Sequence, residues 1–179
     1  GARFVCAAYV LGANAAGGPL KSMGLVFQTV SKIHPRAILA VGTAFGPEGP
    51  YRGRVGFDGV AQAMSGAAYF SGTEEQPVRS AAPWVDFGTA SLLALGVAAA
   101  LRARESTGRG QLFEGALLRT ALTFFSPILL EEAALNPERQ PSHNRGKQPA
   151  PSARTTTKQA RHTGAVTGPT VVPRLPPRG

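Results

Sequence analysis

The sequence predicts an α/β fold, and three observations lead there. Residues 36–43, RAILAVGT, are a short apolar run bounded by Pro35 and by the glycine-rich FGPEGP, the mark of a strand buried in a parallel sheet. Ahead of it, in 19–34, Leu25, Val26, Val30 and Ile33 recur at helical spacing until Pro35 stops the pattern. Behind it, residues 83–111 start near a carboxylate, run through a long apolar stretch and end in a basic, glycine-broken segment, which reads as one long helix. A helix, a buried strand, a glycine-rich loop and further helices are the alternation from which open α/β sheets are built.

Taken in order, the chain opens on a divergent stretch, 1–16, with no secretory signal and no initiator Met, and it reads as the start of an internal fragment. Within 12–18, GANAAGG, Gly12 and Gly17 have the separation of a phosphate-binding loop. Gly18 stands where that motif needs Lys, so the segment is expected to be a flexible linker or a damaged terminus. The strand of 36–43 leads into the loop 44–57, and ligands of open α/β sheets lie at the C-terminal ends of strands. Arg52 and Arg54 lie in that loop. A guanidinium suits phosphate oxygens because it makes two parallel hydrogen bonds, although on the residues alone a solvated loop arginine serves equally.

Residues 58–70 carry Val60, Met64, Ala67 and Ala68 at near-helical spacing broken by Gly66, and are expected to pack beside the long helix. TEEQP, 73–77, is a polar turn in which Glu74 and Glu75 have no catalytic role. Asp86 then precedes the uncharged run 87–101, and as a cap favoured by the positive end of the dipole it is expected to start the long helix. Leu92, Leu93, Leu95, Val97 and Leu101 leave no polar face wider than Thr89 and Ser91, which predicts a helix buried all round. Gly88 and Gly96 imply close approach of another backbone. The run is shorter than the roughly 20 apolar residues of a membrane span. Arg102 and Arg104 suit the C-terminal end, and Thr107, Gly108 and Gly110 stop the helix. After Gln111 the sequence alternates briefly and turns helical, with Pro127 expected to kink or interrupt it. Residues 149–179 are rich in Pro, Arg and Thr without an aromatic residue, so they are expected to form a disordered tail.

At 179 residues the chain is long enough for one domain with a sizeable core. The net charge of +9 suggests nucleic acid only if it is spread over the fold, yet from Arg139 onward there are eight Lys or Arg and no acidic residue. A solvated basic tail accounts for it, and nucleic acid is an unlikely partner. Cys6 is the only cysteine, and His34, His143 and His162 are scattered without ligand spacing, so neither a disulfide framework nor a metal site is expected. A reducing, cytoplasmic setting fits best.

The ordered set FGPEGPYRGRVGFDGVAQAMSG, PWVDFGT and LRARESTGRGQ resembles the class III, CaiB/BaiF-type CoA transferases, which include formyl-CoA and carnitine CoA-transferases and the methylacyl-CoA racemases. The resemblance covers 17–148 and implies a fragment of the CoA-transferase family III fold, with part of its open parallel-sheet domain and the long helices after it. It implies that Asp86, otherwise read as a cap, is the nucleophile. It also implies CoA contacts at Lys21, Met23, Arg52, Arg54, Val55 and Phe57. Ser22 stands where a transferase often has Arg, so Lys21 has to reach in its place, and a surface Lys with a core Met is an equal reading of the residues alone.

The chemistry implied is attack of Asp86 on an acyl-CoA thioester to give a mixed anhydride, return of the thiolate to give an aspartyl-CoA thioester, and collection of CoA by an acceptor carboxylate. Gly88 and the first helical turn are the expected oxyanion donors. A CoA thioester and a carboxylic acid are then substrates, no permanently bound cofactor is needed, no membrane is involved, and an interlocked homodimer is expected of the complete protein. The family's racemases carry a His just after the glycine matching Gly56; this chain has Phe57, which transfers no proton, so the transferase is favoured with the racemase as alternative. An alternative of another class is a noncatalytic interaction fragment with a basic tail, marked by salt-sensitive DNA binding instead of CoA binding. Both ends give way to text almost without acidic residues, as out-of-frame GC-rich DNA produces, so a shifted reading frame is expected there. The chain alone is expected to be inactive.

Overall fold

The computed structural model describes residues 8–14, 17–135 and 140–141. The expected tail, 149–179, lies outside the described residues. Three parallel strands, β1 (Val10–Asn14), β2 (Ile38–Thr43) and β3 (Leu112–Ala116), stand in the order β1-β2-β3. Leu11 pairs with Leu39, and Leu39 with Leu112. The central strand is the apolar run, buried from Ile38 through Gly42, because a strand between two parallel neighbours and two helical layers meets no water.

Alternation along β2 divides its side chains between two layers. Leu39 and Val41 pack with Leu20, Leu25 and Phe27 on one face. These come from α1 (Gly17–Ser22), α2 (Phe27–Ile33) and their connection, where a single helix over 19–34 was expected. Gly24 takes φ +71 in the break, a conformation open to glycine and closed to a continuing helix. The segment 12–18 is likewise no linker: β1 runs to Asn14 and α1 begins at Gly17.

The other face of the sheet carries α5 (Trp84–Thr107), whose Leu93 lies over Gly42 and Gly115 and whose Gly96 lies against the ring of Phe113. Phe124 approaches Gly88 in the same way. Both helical glycines thus admit an aromatic ring, where approach of a backbone was expected. The helix is not buried all round either: Phe87 is 69% exposed and Leu95 67%, because only one side meets the sheet. At 24 residues, with a mean hydropathy of 1.6 over its most apolar 18, α5 is long and apolar enough to cross a membrane by length and composition, beyond what the uncharged run alone suggested. Its contacts with β2, β3 and α6 are those of a helix covering a sheet.

Before α5 come α3 (Asp58–Met64) and α4 (Ala67–Ser71), divided at Gly66, with φ +83, as the sequence indicated. After β3 comes α6 (Leu117–Ala134), which keeps Pro127 inside it without ending there. Ala61, Val85 and Ala121, buried together with Trp84 and Leu117 against them, join α3, α5 and α6 into one helical cluster.

Candidate active site

A cavity of about 550 Å³ opens at the C-terminal ends of β1 and β2. Its floor is Ala13, Asn14, Gly42 and Thr43; the loop residues Arg54, Val55, Gly56 and Phe57 form one wall, and Asp86, Phe87, Ala90 and Leu93 of α5 form another. The loop reaches this place because Thr43 turns the chain off the sheet, its Oγ1 accepting the Gly46 N–H at 2.9 Å while Gly46 takes φ +86. Gly56 approaches Ala44 so closely that a Cβ there would stand 2.9 Å from the Ala44 Cβ.

Asp86 occupies the third position of α5, and Pro83 is the N-cap residue, so the helix begins before the residue expected to start it. The cap comes from Asp58. Its Oδ2 accepts the Val85 N–H at 2.8 Å and the Asp86 N–H at 3.1 Å. The Trp84 N–H donates to the Ala82 carbonyl at 2.9 Å and the Phe87 N–H to the Pro83 carbonyl at 3.1 Å. All four leading N–H groups are therefore engaged, and the first turn does not offer the oxyanion donor expected of it.

The Asp86 side chain is exposed at the cavity and accepts no hydrogen bond among the described residues. Its carboxyl titrates above its ordinary value, chiefly because partial burial against the cavity wall disfavours the charge and further because the Asp58 charge lies nearby. An ionised carboxylate oxygen with no donor upon it keeps its lone pairs available to an electrophile placed in the cavity. Behind it, Thr89 Oγ1 lies 2.8 Å from both the Val85 carbonyl and Thr120 Oγ1, tying the first turns of α5 to α6.

Residues 2–175 match the sequence profile of CoA-transferase family III. The chain belongs to that family. The match extends at both ends beyond the stretch 17–148 on which the sequence motifs rest. Over 110 residues the chain is 42% identical to the succinyl-CoA–L-malate CoA-transferase beta subunit of Chloroflexus aurantiacus, a stretch covering 60% of this chain and 27% of that one. It is 42% identical over 103 residues to a formyl-CoA:oxalate CoA-transferase of Rhodopseudomonas palustris, covering 57% of this chain and 24% of that one. Among solved structures, a CAIB/BAIF family protein of Brucella suis superposes with a TM-score of 0.72 at 27% identity, covering 78% of this chain and 37% of that one. The chain thus spans about a quarter of the length of the curated relatives it matches.

Of the residues to which the family resemblance gave CoA contacts, Arg54, Val55 and Phe57 line the cavity with Asp86. The Arg54 guanidinium lies 4.7 Å from the centre of the Tyr51 ring, which itself leans on Phe45 at 5.4 Å. Arg52 lines a second cavity, about 520 Å³, on the α1/α2 face of the sheet with Leu20, Gly46, Pro47 and Glu114. Lys21 and Met23 line neither; both are exposed at the end of α1, Met23 by 59%, so the core place weighed for Met23 is not the one it takes. The sequence reading missed Asn14 and Thr43, for which the signal was the position at strand ends, and Asp58, for which it was an Asp at the head of a short helix.

Proposed function

We propose that this chain is the nucleophile-bearing part of a family III CoA transferase, and that Asp86 carries CoA between an acyl-CoA thioester and a carboxylic acid. The observation that carries the reading is the Asp86 carboxylate standing without a hydrogen-bond donor at a strand-end cavity walled by Arg54 and Phe57. An Asp86 oxygen bonds to the thioester carbon and the C–S bond breaks, giving an anhydride and CoA thiolate. The thiolate bonds to the Asp86 carboxyl carbon and the donor acid leaves with one Asp86 oxygen. The acceptor carboxylate then bonds to that carbon and expels the thiolate, which attacks the acceptor carbon and restores the Asp86 carboxylate. No net redox change or proton is needed, and the Arg54 charge faces the anionic groups.

Phe57 puts a hydrocarbon ring in the cavity at the place where a racemase needs a proton carrier, which supports transfer over racemisation. The complete protein is a cytoplasmic, interlocked homodimer in this account, and the chain alone is inactive because an incomplete CoA site lowers turnover as well as affinity. The test is an assay of the chain and of a family-length version with several acyl-CoA donors and acids in D2O. Transfer by the longer version without deuterium at the α-carbon supports the reading; deuterium exchange without transfer overturns it.

A further inference from the structure

Asp58 heads α3 and is 4% exposed, a carboxylate taken almost wholly from water. Each group around it donates. Oδ2 receives the Val85 and Asp86 N–H groups, and Oδ1 receives the amide of Gln62. Gln62 has no choice of orientation: its Oε1 accepts the Ser80 N–H at 2.8 Å, which leaves its nitrogen facing Asp58. Only a group that accepts at both oxygens completes this network, and burial makes an unmet donor costly.

We infer that Asp58 is the positioning residue of this site: by binding the second and third N–H groups of α5 from a different helix, it fixes where Asp86 enters the cavity. The inference rests on the reading of Asp86 as nucleophile. Helix ends ordinarily leave these N–H groups to water or to a neighbouring side chain in sequence. Here the cap stands 27 and 28 residues away, so the orientation of the Asp86 backbone depends on the packing of α3. That packing is firm, because Ala61 of α3 is buried with Val85 and Ala121. The same contact brings a second negative charge to Asp86, which adds to the upward displacement of its titration. Charged groups on the surrounding elements at this end of the sheet include Arg79, which packs over Gly59 next to Asp58, Arg54 in the cavity wall, and Arg119, which reaches Gly46 from α6.

Amide hydrogen exchange on the unsubstituted chain, with carbon NMR of the Asp86 carboxyl, tests this without any turnover. Val85 and Asp86 amides are expected to exchange as slowly as amides in the middle of α5; exchange at the rate of an uncapped helix end overturns the inference. Asp58→Ala should speed exchange at those two amides about tenfold or more while the amides near Ala100 stay slow. Asp58→Asn removes the charge beside Asp86 and should move the Asp86 titration to lower pH; an unmoved titration contradicts the proposal, since Asp58 would then not hold that end of α5 beside its carboxylate. If both variants unfold, exchange in the unsubstituted chain decides. Failure to find an adduct on Asp86 would overturn the nucleophile reading and leave these measurements standing, so the two are separable.

Discussion

The carbonyl oxygen of Ala37 stands 1.8 Å from where a Cβ on Gly110 would sit. The Gly110 N–H donates to the neighbouring Pro35 carbonyl at 2.8 Å, so the turn leaving α5 is pressed against the chain entering β2. Gly108, two residues earlier, takes φ +68 and closes α5 by donating to the Arg104 carbonyl at 2.9 Å. The T-G-R-G-Q motif is therefore a folding device: one glycine turns the helix end left-handed and the other admits a backbone.

The two glycines should respond differently to alanine. Gly110→Ala meets backbone that cannot rotate aside and should lower the unfolding free energy by about 2–4 kcal/mol. Gly108→Ala carries only the left-handed penalty and should cost about 1 kcal/mol. Urea midpoints of the two variants check the order, and equal losses would contradict it.

Exposure along α5 predicts a second contrast. Leu95, 67% exposed, should accept Leu95→Ser within about 0.5 kcal/mol, whereas Val85, fully buried against Ala61 and Ala121, should lose about 2–4 kcal/mol as Val85→Ser. Thermal unfolding of the pair measures it. A large loss at Leu95 would show a covered face.

Asp86 gives a pH-dependent prediction. Its folded-state titration is raised by desolvation and by Asp58, so its stabilising contribution is complete below the unfolded-state titration and is lost as pH rises through the folded one. At neutral pH the ionised side chain opposes folding. Asp86→Asn should therefore raise the Tm at pH 7 and the two proteins should converge in acid. A lower Tm for the variant at pH 7 would contradict this sign.

Much of this fold could be read from local pattern, because β2, the break at Gly66 and the stop at Gly108 each follow from a few adjacent residues. The strand β1 could not. VLGAN is short and weakly apolar, and its strand character comes from pairing with β2, a contact invisible in local sequence. The site was legible in the same uneven way. Asp86, Arg54, Val55 and Phe57 meet in one cavity, while Arg52 turns to the other sheet face. Asp58 had no role in the sequence reading, and its bonds to Val85 and Asp86 join segments that no periodicity links. The start of α5 moved for that reason: with its cap supplied from α3, the helix begins at Trp84 and carries Asp86 inside its first turn.

The measurement closest to the central claim is peptide mass spectrometry on a family-length version, reacted with an acyl-CoA and quenched with hydroxylamine. The account predicts a hydroxamate on Asp86, formed from the anhydride or the aspartyl-CoA thioester, and none in Asp86→Asn. Turnover with no hydroxamate on Asp86, or a hydroxamate on another carboxylate, would contradict it.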